Sequence, residues 1–400
     1  MPCMLTFDQA RDWLLQRAQP LAATERAPLL AALGRTLTEP LTAAVDVPPR
    51  DNSAMDGYAV AVSSLGGEPL PLSQRVPAGS VPQPLAAGSA ARIFTGAPIP
   101  PGADAVIMQE LAEMLPDGRV RFAQAAHPGQ CIRRAGEDIS AGQQILAAGR
   151  RLTPADIGLA ASIGVDSLPV RRALRVAVFF TGDELVEPGQ ALAEGQIYNS
   201  NRYWLVPALM ALGCEVIDLG IVRDSLAATR EALRDAADCA DVIITCGGVS
   251  VGEEDHVKAA VEAEGELTLW KIAIKPGKPL AYGRIGQADF IGLPGNPVSG
   301  FVTYQTLARP FLQKRAGQPV TAGFDERYPA AFAWERPDAR REEFLRVRRE
   351  MADGGWRLRL YPQQGSGVLM SCAWAEGLVR LAPGQSVRPG DALPFMPLAD

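Results

Sequence analysis

Five short segments carry the residues best suited to chemistry. They are TGDEL (181–185), with Asp183 and Glu184; IVRDS (221–225), with Asp224; CGGVSVGEED (246–255), with Gly247, Gly248, Ser250 and Asp255; IKPGKP (274–279), with Lys275 and Lys278; and LPGNPVS (293–299), with Pro294, Asn296 and Pro297. Lys271 lies just ahead of the fourth. Glycines at 247 and 248 lack Cβ, so backbone N–H groups can approach an anion closely, and Ser250 adds a hydroxyl donor. The carboxylates of Glu184, Asp224 and Asp255 are hard oxygen ligands that suit Mg²⁺. Such a cation bridges and neutralises phosphoryl oxygens. Lys275 and Lys278 offer compact positive charge to phosphate or another oxyanion. Each segment alone also has a plainer reading: Gly-Gly as a turn, GDEL as a helix cap or solvated loop, KPGKP as a turn with solvated lysines.

The elements around these segments decide between the two readings. From 174 to 315 the pattern is βαβ. Strands are predicted at 174–180, 214–220, 241–246, 269–274 and 289–293, with helices at 201–213 and 225–238 between them. Strands alternating with helices imply a mostly parallel sheet covered on both faces. All five segments then fall at strand ends, where ligands of open parallel sheets bind.

Outside this unit the texture changes. Residues 5–33 show helical spacing, with Thr6 as a plausible cap, and 153–164 look helical with Thr153 as N-cap and Pro154 at the first helical position. Between them, 40–138 is punctuated by Pro and Gly and reads as β-rich. The tail from about 320 is strand-like again (EEFLRVRRE, WRLRLYP). The expected fold is a multidomain α/β chain: a helical N-terminal unit (1–45 plus 139–173) with an inserted β-rich module (46–138), a central, mostly parallel α/β domain (174–318) and a small C-terminal β domain (319–400).

Composition narrows the function. Across 400 residues the hydrophobic fraction is 47%, enough for sizeable cores, and 33 Pro with 39 Gly imply many turns. A net charge of -6 argues against broad nucleic-acid binding. The acidic, polar start is unlike a signal peptide, and no apolar run reaches the ~20 residues of a membrane span. Six scattered cysteines without a C-x-x-C pair, and two histidines, argue against zinc and for a reducing cytoplasm. No G-x-G-x-x-G or P-loop fingerprint is present.

Ten segments in order resemble the molybdopterin molybdenumtransferase family, the bacterial MoeA proteins and the E domain of gephyrin. They are DNSAMDGYA (51–59), FTGAPIPPGADAV (94–106), RRAGEDI (133–139), TGDEL (181–185), GQIYNSN (195–201), LGIVRD (219–224), CGGVSVGEED (246–255), WKIAIKPGKP (270–279), GLPGNPVS (292–299) and QQGSG (363–367). The resemblance implies an enzyme that takes adenylylated molybdopterin and molybdate, cleaves the phosphoanhydride, releases AMP and leaves molybdenum on the pterin dithiolene. It implies Mg²⁺ on Glu184, Asp224 and Asp255, and a homodimer in which Asp56 and Thr95 of the β-rich module face the partner's sheet domain. Asp138 matches an acidic family segment. Lys275, Pro294 and Pro297 match its substrate-cleft positions, with Lys271 and Lys278 as further substrate-binding candidates from the same strand and loop, and Arg346 with Ser366 match a molybdate-proximal pair. Further expected partners are a molybdopterin adenylyltransferase and molybdoenzyme acceptors. Asn199 stands where many relatives carry Asp and is assigned no metal role. Alternatives are a molybdopterin-binding scaffold or the adenylyltransferase itself.

Overall fold

The computed structural model describes residues 4–249, 256–320, 323–352 and 354–398. Ser250 and Asp255 therefore lie outside the described residues. At the centre is strand Arg175–Thr181, buried along nearly its whole length. Successive side chains of a strand point to opposite faces. Val176, Val178 and Phe180 accordingly join one core with Leu205 and Leu209 of helix Ser200–Ala211. Ala177 and Phe179 join a second core with Leu233 and Ala236 of helix Leu226–Cys239. A strand covered on both faces needs apolar residues at every position, which RVAVFF supplies.

The six strands run in the order Glu215–Val222, Arg175–Thr181, Val242–Cys246, Ala288–Leu293, Pro279–Ile285, Gly265–Lys271. The first four are mutually parallel. Pro279–Ile285 is antiparallel to both its neighbours. Every strand but that one thus points its carboxyl end to the same rim. From Arg175–Thr181 the chain steps to one side for Glu215–Val222 and to the other for Val242–Cys246. The crevice forms at that reversal.

Three central elements differ from the sequence expectation. The strand expected at 269–274 runs from Gly265 to Lys271, and Ile274–Lys275 pairs instead with Glu342–Glu343 of the tail sheet. Strand Pro279–Ile285 is unanticipated because Pro and Gly interrupt its pattern. A Cβ on Gly283 would lie 2.2 Å from the Glu266 carbonyl oxygen, so glycine there marks close strand packing. A continuous helical stretch also follows Asn296: Pro297–Thr303, a π-helical turn Tyr304–Ala308, then Arg309–Arg315. Its residues are almost all buried, so it shows no amphipathic period to read.

The opening segment is less helical than its spacing predicts. Helix Phe7–Arg17 forms behind a capping box, with Thr6 Oγ1 accepting from Gln9 N and Gln9 Oε1 from Thr6 N. It buries Phe7, Ala10 and Leu14 in the central core, where Phe7 meets Phe344 edge-on at 5.1 Å. Residues 29–31 form only a 3-10 turn, after strand Thr24–Pro28 has paired with Ser167–Arg171. Leu30 is consequently 90% exposed. Helix Pro154–Ser162 has the expected Thr153 cap.

The β-rich module is a six-stranded sheet with its own apolar clusters around Tyr58, Val60 and Ile107, and around Ala59, Val76 and Ile93. The tail builds a third sheet on the long strand Glu342–Ala352, with Leu345, Val347 and Phe395 in its core. Among the described residues no helix is long and apolar enough to cross a membrane.

Burial separates two kinds of leucine. Leu205→Ala, in the central core, is expected to cost about 2–5 kcal/mol in urea unfolding. Leu30→Ala, at the exposed turn, is expected to stay within about 0.5 kcal/mol. Equal losses at both sites would contradict this placement of the core.

Candidate active site

The rim of the central sheet holds a cleft of about 470 Å³. Much of its lining comes from the ends of four parallel strands and the segments after them: Thr181, Gly182 and Glu184; Asp224; Gly247 and Gly248; Pro294 to Pro297. Pro279 closes one side. Four of the five chemistry-bearing segments thus meet as the βαβ pattern predicts, the fourth only through Pro279.

Backbone contacts set the shape. Gly247 (φ 108°) and Gly248 (φ 62°) adopt conformations that L side chains rarely take. A Cβ on Gly247 would lie 2.5 Å from the Thr181 carbonyl oxygen, and one on Gly248 would lie 2.4 Å from Val257 Cγ2. Gly247 N donates to Leu293 O, and the Cys246 thiol donates to Pro294 O at 3.1 Å. Burial pushes that thiol up to about 12, so it stays protonated and serves as a donor. Asn201 Nδ2 donates to Gly295 O at 2.7 Å while its Oδ1 accepts from Trp204 Nε1. These bonds fix the PGNP turn against helix Ser200–Ala211.

Glu184 and Asp224 both line the cleft, and Asp224 N donates to Asp183 Oδ1 at 3.3 Å. Asp183 precedes a short strand, Leu185–Val186. Lys271, Lys275 and Lys278 do not line this cleft. Lys275 Nζ lies 2.9 Å from Glu343 Oε1, a carboxylate that also accepts from Trp334 Nε1 and Asp338 N through Oε2.

Arg346 departs from the expected ligand-facing cation. Its side chain is wholly buried, and it donates to Ser371 Oγ, Phe344 O and Gly365 O. Burial holds its guanidinium down to about 10. Gln364 completes the arrangement: its Oε1 accepts from Arg346 N, and its Nε2 donates to Arg346 O. The residue therefore clamps the QQGSG loop. Ser366 does not line the cleft, but its carbonyl accepts from the N–H of Val298, which lies between the lining residues Pro297 and Ser299.

Asp56 and Thr95 do come together in the β-rich module. Asp56 Oδ1 accepts from Thr95 N and from Thr95 Oγ1, each at 2.7 Å. The backbone bond, then the hydroxyl bond, holds the exposed Asp56 carboxyl below its ordinary value. Asp138 is exposed on a separate loop, where its N donates to Val47 O. None of the three lines the cleft.

Thr181 and Asn199 line the cleft and were not picked out as site residues. The available signal was a polar residue closing an apolar strand, and an Asn capping the next helix.

Residues 5–164 match the model of the MoeA N-terminal region (domain I and II), 177–314 that of a probable molybdopterin binding domain, and 329–398 that of the MoeA C-terminal region (domain IV). The molybdopterin molybdenumtransferase of Haemophilus influenzae is 46% identical over 79% of this chain and 78% of its own length. The chain belongs to the molybdopterin molybdenumtransferase family. A Nostoc molybdopterin molybdenumtransferase is 35% identical over 91% of this chain and 86% of that protein. The crystal structure of the molybdopterin biosynthesis moeA protein from Pyrococcus horikoshii OT3 superposes with a TM-score of 0.79 at 26% identity, covering 98% of this chain and 99% of that one. Membership makes the chain an enzyme of molybdenum cofactor biosynthesis.

The Asp56–Thr95 contact yields a pH test. A depressed carboxyl contributes stability above its unfolded value of about 3.9, and that contribution is lost as pH falls through the folded value. Thr95→Val removes the hydroxyl bond and keeps the backbone one, so the Asp56 midpoint in carboxyl NMR titration should rise part-way. An unmoved midpoint would show that the hydroxyl bond is not made. Gly248→Ala should lower stability by about 1–3 kcal/mol in urea unfolding, through strain and the clash with Val257. A neutral effect would mean that the turn relaxes freely.

Proposed function

We propose that the chain transfers molybdate to adenylylated molybdopterin and releases AMP. Family membership supports this reading, and one observation carries it: four separated segments converge on one rim, where bare glycine backbone lies beside two carboxylates. Gly247 and Gly248 give phosphoryl oxygens close access to backbone amides. Pro294, Pro297 and Pro279 wall the cleft without adding charge.

The described residues fit Mg²⁺. Glu184 and Asp224 are hard oxygen donors that line one cleft. Mg²⁺ commonly takes one or two carboxylates and completes its shell with water and substrate phosphate. When bound, it would supply charge neutralisation at the phosphoanhydride. Asp255 is proposed as a third ligand and Ser250 as a further donor.

Molybdate is a dianion and needs positive charge near the dithiolene. Lys271, Lys275 and Lys278 are proposed to supply it at the cleft's edge. Ser366 would place a donor there, held by the loop that Arg346 clamps. In a homodimer, Asp56, Thr95 and Asp138 would come from the partner chain. Positioning and charge stabilisation would then provide most of the rate. A cytoplasmic location fits the thiol chemistry, and an adenylyltransferase and molybdoenzymes are the proposed donor and acceptors.

Turnover tests the assignment. Asp224→Asn and Asp255→Ala should each bind adenylylated molybdopterin yet release AMP about 100-fold more slowly. Near-normal AMP release by both variants would refute the carboxylates' role.

A further inference from the structure

The floor of the cleft contains two buried polar groups whose hydrogen-bonding capacity is unmet. Asn199 is 1% exposed and precedes the 12-residue helix Ser200–Ala211. Its Oδ1 caps that helix by accepting from Arg202 N at 3.3 Å. The cap fixes the amide's orientation, so the group left over is the Nδ2 donor. That nitrogen is buried with no hydrogen-bond partner, and so is Thr181 Oγ1, on a residue 5% exposed. Asn201, one turn-start further on, has both its amide atoms engaged.

Leaving a buried donor unmet is costly, and folded chains rarely do so without a reason. Here two such groups line one cleft. Thr181 Oγ1 sits directly beneath the glycine turn: a Cβ on Gly248 would be 2.7 Å from it and one on Gly247 3.2 Å. The amino end of helix Ser200–Ala211 adds partial positive charge to the same floor. Neutral donors, a helix amino end and bare glycine backbone complement an anionic oxygen. The carboxylates of Glu184 and Asp224 stand on the opposite side of the argument, since they repel one. A ligand bearing phosphoryl oxygens satisfies both sets: oxygens on the floor, and a shared cation at the acids.

We propose that Thr181 Oγ1 and Asn199 Nδ2 form the seat of a phosphoryl oxygen of the substrate, and that the uncharged amide at 199 lets the phosphate settle before a divalent cation arrives. This rests on the reading that the cleft takes an adenylylated substrate. Asn199 is then a positioning residue whose substitution changes how strongly phosphate binding depends on cation.

The test is calorimetric binding of AMP in EDTA and again in millimolar Mg²⁺, for the wild-type chain, Asn199→Asp and Thr181→Val. Asp keeps an oxygen to cap Arg202 N, and Val keeps the shape of Thr while removing an unmet buried hydroxyl, so both variants should fold, Thr181→Val with an unchanged or raised melting temperature. In EDTA the dissociation constant should rise about tenfold for Asn199→Asp, equivalent to about 1.4 kcal/mol. For Thr181→Val it should rise about threefold, the loss of one modest hydrogen bond. Mg²⁺ should shrink the Asn199→Asp deficit to about threefold or less, because a cation can bridge the new carboxylate and the phosphate. Equal binding by all three chains in EDTA would overturn the seat. So would a deficit that Mg²⁺ leaves untouched and that comes with a lowered melting temperature, and so would a wild-type chain that binds no AMP. AMP release from adenylylated molybdopterin is scored separately. Normal release with unchanged variant binding removes only the seat, whereas absent release removes the transferase reading.

Discussion

The contact between Gly247 and Thr181 is the constraint on which the cleft depends. Strands Arg175–Thr181 and Val242–Cys246 pair in parallel almost to their ends, Phe180 opposite Cys246. The turn that leaves the second strand must then cross the end of the first, at a distance that leaves no room for a Cβ. The same crowding recurs at Gly300, where a Cβ would lie 2.9 Å from Pro294 O, and at Gly292, where it would meet Val249 Cγ1 at 2.5 Å. Where the strand ends meet, the surface is therefore backbone rather than side chain. Backbone dipoles are fixed by the sheet and need no reordering when charge arrives, which is what phosphoryl chemistry asks of a site.

Charge distribution adds a second constraint. Among the described residues that line the cleft, Glu184 and Asp224 are acidic and none is Lys or Arg. Two of the cations that the sequence predicts here have partners outside the lining. Lys275 faces Glu343, whose second oxygen is fixed by Trp334 and Asp338. Arg346 is sealed beneath the QQGSG loop, where it donates to Ser371, Phe344 and Gly365 and burial lowers its proton affinity. An anion entering the cleft must draw its positive charge from helix and turn amides, from a bound cation, or from residues at the margin. That need is the physical ground for the hard cation proposed at the acidic pair.

Much of this was legible in the sequence, for identifiable reasons. RVAVFF reads as a strand because both its faces are covered, and Thr6 and Thr153 cap helices because a side-chain oxygen there meets an orphan N–H. The convergence of TGDEL, IVRD, CGG and PGNP follows from strand direction alone. What stayed hidden depends on tertiary context. The helical stretch from Pro297 to Arg315 is buried nearly all round and has no period. Pro279–Ile285 is broken by a glycine that serves strand spacing. Residues 29–33 have helical spacing but lie beside a strand pairing with residues more than a hundred positions away. Arg346 illustrates the limit best: alternation puts its side chain on one face of a strand but does not say whether that face meets ligand or core.

The outer units differ in how they reach the cleft. The tail sheet is wired to its edge: Ile274–Lys275 pairs with Glu342–Glu343, Ser366 O accepts from Val298 N, and Arg380 joins Asp8 of the first helix to Glu342. Movement of the tail must therefore move the PGNP helix start and the KPGKP segment with it. The β-rich module has a self-contained core, and its Asp56–Thr95 pair lines no part of the cleft in the same chain. A carboxylate that two donors hold ionised on an exposed turn is ready to meet a ligand, yet this chain's own cleft is lined by other residues. In the proposed homodimer a second copy would turn this surface toward the sheet rim, and the pair would then act on the substrate bound there.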